Sequence, residues 1–313
     1  MKINNFIYSD TNKRYHTFDY YLKHKYGDKV LKISLNAGFT CPNRDGLCGY
    51  GGCSFCSEMG SGEYAGSCED DLLVQYETIK KQMLSKWQTT KFIAYFQAYS
   101  NTYDTLDNLK KRYDLFLHKE EVVALAIATR PDCLDVDKIN YLNSLTKQKD
   151  LYLELGLQTF NDDIAHTFNR GYDSKVFYEV MALLEKTNIK VCVHLINGLP
   201  HESKEEMLNN IRILSQMKIH SIKIHMLNIL SDAPWSKDYD DDKIPLLTKD
   251  EYVTLVVNQL RLLRSDIVVQ RLTGDAKKEH LIAPQWTLKK IDVLNSIDKI
   301  MALHDYYQGD LYE

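Results

Sequence analysis

"VLKISLNAGFTCPNRDGLCGYGGCSFC", residues 30–56, joins two unlike pieces of chain. The first six residues form a short apolar run; the rest is a glycine-rich loop with four cysteines inside sixteen positions. Runs like the first recur as "KFIAYFQ" (91–97), "VVALAIAT" (122–129), "LYLELGLQ" (151–158), "IKVCVHLI" (189–196) and "HSIKIHML" (220–227). Helical patterns lie between them, near residues 70–87, 105–117, 135–146, 174–187 and 203–217. Continuous apolar runs suit strands buried on both faces of a parallel sheet. Six strand-then-helix units in series predict an α/β fold, either a parallel barrel or a doubly wound sheet. Beyond them the pattern predicts a helix over 248–264, a strand in "DIVVQRL" (266–272) and a helix over 287–303. The simplest division is an N-terminal basic and aromatic extension (1–29), a main barrel domain (30–235) and a C-terminal extension closing it (236–313).

Composition narrows the function classes. A chain of 313 residues buries roughly 75% of its unfolded surface, enough for a large core. No run of 18 apolar residues occurs, so no membrane span is expected. The N-terminus "MKINNFIYSDTNKRYHTFDYY" lacks the apolar stretch and cleavage site of a signal peptide. Seven cysteines without an export signal predict a reducing, cytoplasmic setting, where clustered thiols bind metal more often than they pair. The net charge of −4 argues against a general nucleic-acid coat. It hides an asymmetry, because residues 1–34 carry seven Lys/Arg against three Asp, interleaved with tyrosines, while "DYDDD" (238–242) is acidic. A basic, aromatic arm suits RNA phosphates and a stacked base, and it equally suits a solvated face with tyrosines in the core.

The cysteine loop admits two ligand sets. Cys41, Cys48, Cys53 and Cys56 together would close a structural zinc or iron–sulfur site. Three of them would leave one metal position open, as a catalytic site requires. Location favours the open site, since chemistry in parallel α/β folds sits beyond the carboxyl ends of the strands. The segments that follow the other strands, "QAYSNTY", "TRPD", "QTFND", "NGLP" and "LNIL", are all polar or turn-forming.

The loop "CPNRDGLCGYGGCSFC", ending in Cys-x-aromatic-Cys, resembles the radical S-adenosylmethionine (SAM) superfamily. Eleven residues separate Cys41 from Cys53, and this spacing looks like the YtqA/YhcC-like group, related to the elongator catalytic subunit and oxygen-independent coproporphyrinogen oxidases. "ISLNAGFTCPNRDG", "YFQAYSNTY", "ATRPDCL", "ELGLQTFND", "NGLPHES", "IKIHMLNIL" and "QRLTGDA…LIAPQW" match that group as well, so the resemblance runs from about residue 14 to 303. It implies a partial TIM-type (β/α)6 barrel with an N-terminal arm and a C-terminal strand/helix extension. It also implies that Cys41, Cys53 and Cys56 bind a [4Fe-4S] cluster, with Cys48 a spectator. The family's cluster reductively cleaves SAM to a 5′-deoxyadenosyl radical that abstracts hydrogen from a substrate, with a flavodoxin or ferredoxin as electron donor.

Several further residues are candidates for holding SAM. Phe55 lies between two ligands, and Gln97 and Asn101 occupy the place where the superfamily meets the methionine amine. Thr129 and Arg130 suit the ribose or carboxylate, although Arg130 could instead form a surface ion pair with Asp132 or Asp135. Glu154 and Gln158 share one strand face with Gly156, and a glutamate and a glutamine directed into a barrel are costly unless something binds them. Arg170 offers a fork for a carboxylate, and Asn197–Gly198 matches the family's glycine motif near adenine. Lys223 and His225 share one face of the sixth strand and are substrate candidates. Arg271 and Asp275 are substrate candidates too, or, with Thr273 and Trp286, plain packing of the C-terminal strand and helix. The expected reaction is modification of the C5 side chain of the tRNA wobble uridine, U34. The alternatives are radical chemistry on a small molecule such as a porphyrin precursor, or a non-enzymatic protein in which four cysteines hold zinc.

Overall fold

The computed structural model describes residues 3–240 and 244–313. Asp241 and Asp242 of the acidic run therefore lie outside the described residues. Nine strands are present: β1 Val30–Leu35, β2 Lys91–Phe96, β3 Val122–Thr129, β4 Asp150–Gln158, β5 Lys190–Asn197, β6 Ser221–Met226, β7 Ile229–Leu230, β8 Val268–Arg271 and β9 Leu281–Ala283. Seven of them hydrogen-bond in the order β1-β2-β3-β4-β5-β6-β8, and β7 pairs antiparallel with β9. The pairs β1–β2, β2–β3, β3–β4 and β6–β8 are parallel. Helices follow the strands as the periodicity predicts, for example Leu72–Leu84, Val136–Leu145 and Lys204–Gln216. Among the described residues no helix is long and apolar enough to cross a membrane.

The chain forms two compact units. One comprises Leu22–Leu157 and Asn169–Cys192 and contains β1 to β3 and β4 up to Leu157. β2 is buried almost end to end, with Phe92, Ile93, Ala94 and Phe96 sealed from solvent, while β1 alternates buried and half-buried residues. Phe96 packs edge-on against Tyr113, with centroids 4.7 Å apart, and Tyr76 and Phe116 extend the same aromatic cluster. At the amino end of β4, Asp150 accepts hydrogen bonds from Lys190 and the Tyr26 hydroxyl and pairs with Lys25 at 2.5 Å. Burial alone would raise the Asp150 pKa, but the bonds from Lys190, Lys25 and Tyr26 outweigh it and hold the carboxyl at about 2.

The folded-state value lies below the unfolded one, so this ionised cluster stabilises the protein above pH 4 and is lost as pH falls from about 4 towards 2. A depression of this size corresponds to about 2 kcal/mol. Urea melts at pH 7, 4 and 2 are expected to show that acid-side loss in the wild type. Asp150→Asn is expected to be less stable at pH 7 and to lack that part of the pH dependence; parallel curves for the two proteins would refute the assignment.

The second unit comprises the residues up to Tyr21, then Gln158–Phe168 and Val193–Glu313. Its Lys249–Leu262 helix starts with a capping box, Thr248 with Glu251, which satisfies orphan amides at the helix start. The N-terminal arm is stitched into this unit. Val269 N–H donates to His16 O at 2.7 Å, His16 N–H donates to Gln308 Oε1 at 2.8 Å, and Gln308 N–H donates to Arg14 O at 2.9 Å. Lys13 pairs with Asp298 at 2.5 Å and Arg14 with Asp305 at 2.7 Å. Farther along, Lys25 serves Asp150, Lys32 serves Glu154, and Lys29 lies over the Trp87 ring. Most of the basic charge that made the first 34 residues look like a phosphate-binding arm is thus engaged in intramolecular contacts.

Candidate active site

The loop after β1 is held at both ends. Asn36 N–H donates to Gln75 Oε1 at 2.9 Å, and Gln75 Nε2 returns a bond of 2.9 Å to Asn36 O. Within the loop, Arg44 N–H donates to Cys41 O, Cys48 N–H to Pro42 O and Gly52 N–H to Asn43 O, each at 2.8 Å. The Arg44 guanidinium donates to the carbonyls of Cys56 and Ser57 and lies 5.4 Å from the Tyr99 ring centre. Two glycines are required by close approach. A Cβ on Gly49 would stand 2.6 Å from Asn43 Oδ1, and one on Gly52, at φ +84°, would stand 2.9 Å from Arg44 Nε.

The four thiols are not equivalent. Cys41, Cys53 and Cys56 are half-buried, whereas Cys48 is exposed, with its sulfur 3.9 Å from Asp132 Oδ2. Burial, then the neighbouring Cys56 thiol, pushes Cys53 up to about 12, and burial raises Cys56 as well. Binding a metal therefore requires these sulfurs to shed protons. Asn43, fully buried, directs Nδ2 at Cys53 Sγ over 3.6 Å.

The loops after β2, β3 and β4 carry the other candidate residues of this unit. Gln97 Nε2 donates to Ser61 O at 2.8 Å. Asn101 donates to the carbonyls of Ala98 and Ala128, and its Oδ1 is buried without a partner. Between them Tyr99 sits at φ +61°, a left-handed conformation that a bulky residue seldom adopts away from functional sites. Thr129 Oγ1 meets Thr102 Oγ1 at 2.6 Å. Arg130 forms a two-pronged pair with Asp132, at 2.9 and 2.6 Å, and the pair is largely buried. Tyr172 has Arg130 5.1 Å and Arg170 4.5 Å from its ring centre. Arg170 is also buried, donating to Tyr172 O and Leu157 O. Phe55 is half-buried beside its cysteines. Glu154 is sealed from solvent; Lys32 Nζ donates to its Oε1 at 2.9 Å and the Tyr95 hydroxyl to its Oε2 at 2.7 Å.

In the other unit Gln158 ends β4 at φ +67° and is half-buried. Asn197 exchanges two amide hydrogen bonds with Gln259, at 2.8 and 2.9 Å, so its side chain is committed to the core. Gly198 has φ +86°, and its N–H points at the Met207 sulfur. Lys223 is buried, and the His225 ring stacks on His194 with centroids 5.7 Å apart. Arg271 pairs with Asp275 at 2.5 Å, Lys290 of the last helix joins the same carboxylate, and Trp286 donates to Leu247 O. Arg271 and Asp275 thus link the C-terminal strand to the last helix through Lys290. Asn43, Arg44, Tyr99 and Tyr172 are the residues that sequence reading misses. The proximity of Asn43 and Arg44 to Cys41 was the only available signal.

These features fit a [4Fe-4S] cluster with an adjoining polar ligand. Three half-buried thiols share one loop, glycines allow the backbone to wrap closely, an amide N–H meets one sulfur, and buried Asn101 Oδ1 meets no donor among the described residues. Among the described residues no three His, Cys, Asp or Glu side chains are gathered as a single ion would need.

Comparison with known proteins agrees. The Radical SAM superfamily model matches residues 40–214, and the Radical_SAM C-terminal domain model matches 219–302. YtqA of Bacillus subtilis (strain 168) is 42% identical over 313 residues, covering 100% of this chain and 97% of that protein. A shorter stretch of 87 residues is 33% identical to the tRNA uridine(34) acetyltransferase of Methanocaldococcus infernus, covering 28% of this chain and 16% of that protein. The solved structure of Methanocaldococcus infernus Elp3, lacking its N-terminus, superimposes with a TM-score of 0.68 at 16% identity, over 89% of this chain and 64% of that one. That likeness is one of fold and matches the α/β partial TIM-type barrel expected from the sequence. The chain belongs to the radical SAM superfamily, in its YtqA-like group.

Proposed function

We propose that this radical SAM enzyme acts on tRNA, remodelling the C5 side chain of the wobble uridine. The observation that carries the chemistry is the unequal exposure of the loop's thiols, with Cys41, Cys53 and Cys56 half-buried and Cys48 exposed. Those three residues hold the [4Fe-4S] cluster and leave one iron for SAM. Bound together, cluster and SAM would supply the 5′-deoxyadenosyl radical for hydrogen abstraction. Phe55, Gln97, Asn101, Thr129, Arg130 and Arg170 are the contacts proposed for SAM on the cluster-bearing unit. Asn101 Oδ1 is a free acceptor suited to an amine. Gln158 and Gly198 are proposed SAM contacts of the other unit, with Asn197 acting by holding the Gly198 turn through Gln259. Lys223 and His225 face the substrate. Electrons come from a flavodoxin or ferredoxin in the cytoplasm.

The tRNA assignment is supported by the local match to a tRNA uridine(34) acetyltransferase. The N-terminal arm lends it little, because Lys13 and Arg14 are already paired. Mass spectrometry of nucleosides in tRNA from a deletion strain tests the proposal. A C5-substituted uridine is expected to change in abundance and to revert with the wild-type gene but not with Cys53→Ala. An unchanged nucleoside profile would remove tRNA as substrate and turn attention to a small molecule.

A further inference from the structure

We propose that Asn43 is a positioning residue for the cluster, its side-chain amide donating to the Cys53 sulfur and thereby raising the cluster's reduction potential. This rests on the assignment of Cys53 as an iron ligand.

The orientation of the amide is fixed by its surroundings. Asn43 Nδ2 donates to the carbonyl of Asn169, so the opposite rotamer would set two oxygens against each other. With one N–H committed to that carbonyl, the second is directed at Cys53 Sγ, 3.6 Å away. The remaining atom, Oδ1, is buried and has no hydrogen-bond partner. It sits where a Cβ on Gly49 would come within 2.6 Å and one on Gly171 within 3.0 Å. Filling space is a poor reason for such a residue, because a small apolar side chain would fit without burying an orphaned acceptor. The amide's gain is its donation to sulfur. The backbone adds rigidity, since Gly52 N–H donates to Asn43 O at 2.8 Å and ties the residue to the segment that enters Cys53.

Reduction adds an electron to the cluster, and part of that charge resides on the ligating sulfurs. A donor aimed at one of them favours the reduced form over the oxidised form, which raises the potential. An N–H donor in a water-poor pocket acts more strongly than the same group in water.

The test is an EPR-monitored redox titration of anaerobically reconstituted wild type, Asn43→Ala and the near-isosteric Asn43→Asp, after iron and sulfide have been quantified in each. With full cluster content, Asn43→Ala is expected to lower the reduced-to-oxidised ratio at a fixed potential about tenfold, equivalent to about 59 mV for one electron. Asn43→Asp, which loses the N–H and brings an acceptor, is expected to shift further in the same direction. Unchanged midpoints in both loaded variants would overturn the proposal while leaving the cluster intact. Pulsed EPR on the reduced wild-type protein with 15N-labelled asparagine gives a readout independent of variant folding. A coupled asparagine nitrogen is expected, and its absence would overturn the proposal even if neither variant loads. A wild type that takes up no iron and sulfide would instead remove the cluster assignment itself.

Discussion

Alanine at Cys41, Cys53 or Cys56 is expected to abolish cluster loading, whereas alanine at Cys48 is expected to leave it intact. Three half-buried thiolates are all the ligands the loop offers the cage, and loss of any one leaves two. The remaining sulfurs cannot compensate, because Cys48 is exposed and turned toward Asp132. Each of the three variants should fall from about four irons per chain to near none after anaerobic reconstitution. SAM cleavage with dithionite should drop by more than the roughly 10–100-fold typical of losing an outer partner of a metal ligand. Cys48→Ala should match the wild type in iron, sulfide, visible absorbance and SAM cleavage. Loss of metal in all four variants, with zinc retained by the wild type, would restore the closed four-thiolate reading.

Alanine at Glu154 is expected to cost stability before it costs SAM affinity. The carboxylate is sealed from solvent, with Lys32 on one oxygen and Tyr95 on the other. Lys32 also lies 4.8 Å from the Tyr95 ring centre, so the three side chains form one cluster spanning β1, β2 and β4. Removing the anion takes the carboxylate partner from Lys32 and Tyr95 inside the sheet, and a loss of about 3–5 kcal/mol is expected. Glu154→Gln keeps the shape and an acceptor for Tyr95 but removes the charge, so a smaller loss of about 1.5–3 kcal/mol is expected. The double variant Glu154→Leu/Lys32→Met should recover much of the deficit, because a well-packed apolar pair can replace a buried ion pair. Chemical denaturation measures all three. If Glu154→Ala unfolds at the wild-type midpoint while its KM for SAM rises, the carboxylate serves the cofactor and not the sheet.

These two cases mark where sequence reading succeeded and where it stopped. The parallel strands were legible to within a residue or two, as with 122–129 for Val122–Thr129 and 266–272 for Val268–Arg271. Strands buried on both faces must be continuous apolar runs, and that signal is local. The Phe18–Tyr26 helix and the two-residue and three-residue partners β7 and β9 escaped notice. The helix buries only Leu22, and so short a ladder leaves no period to detect. Strand parity marked Glu154 as a polar residue in a buried strand, but Lys32, which pairs with it, is 122 positions away. The basic arm shows the same limit: charge is visible in a sequence, while the partners of Lys13 and Arg14, Asp298 and Asp305, lie more than 280 residues downstream.

The order of strands and helices, and a cysteine-rich loop at the end of the first strand, follow from nearest neighbours along the chain. Apolar continuity and thiol spacing are written there directly. The folded chain was needed to leave Cys48 exposed, to aim Asn43 at Cys53, to hand Glu154 to Lys32 and to bind the arm to the C-terminal helix. Each of these depends on which distant side chains are brought within hydrogen-bond or ion-pair range, and a buried polar group is held by whichever partner the packing delivers.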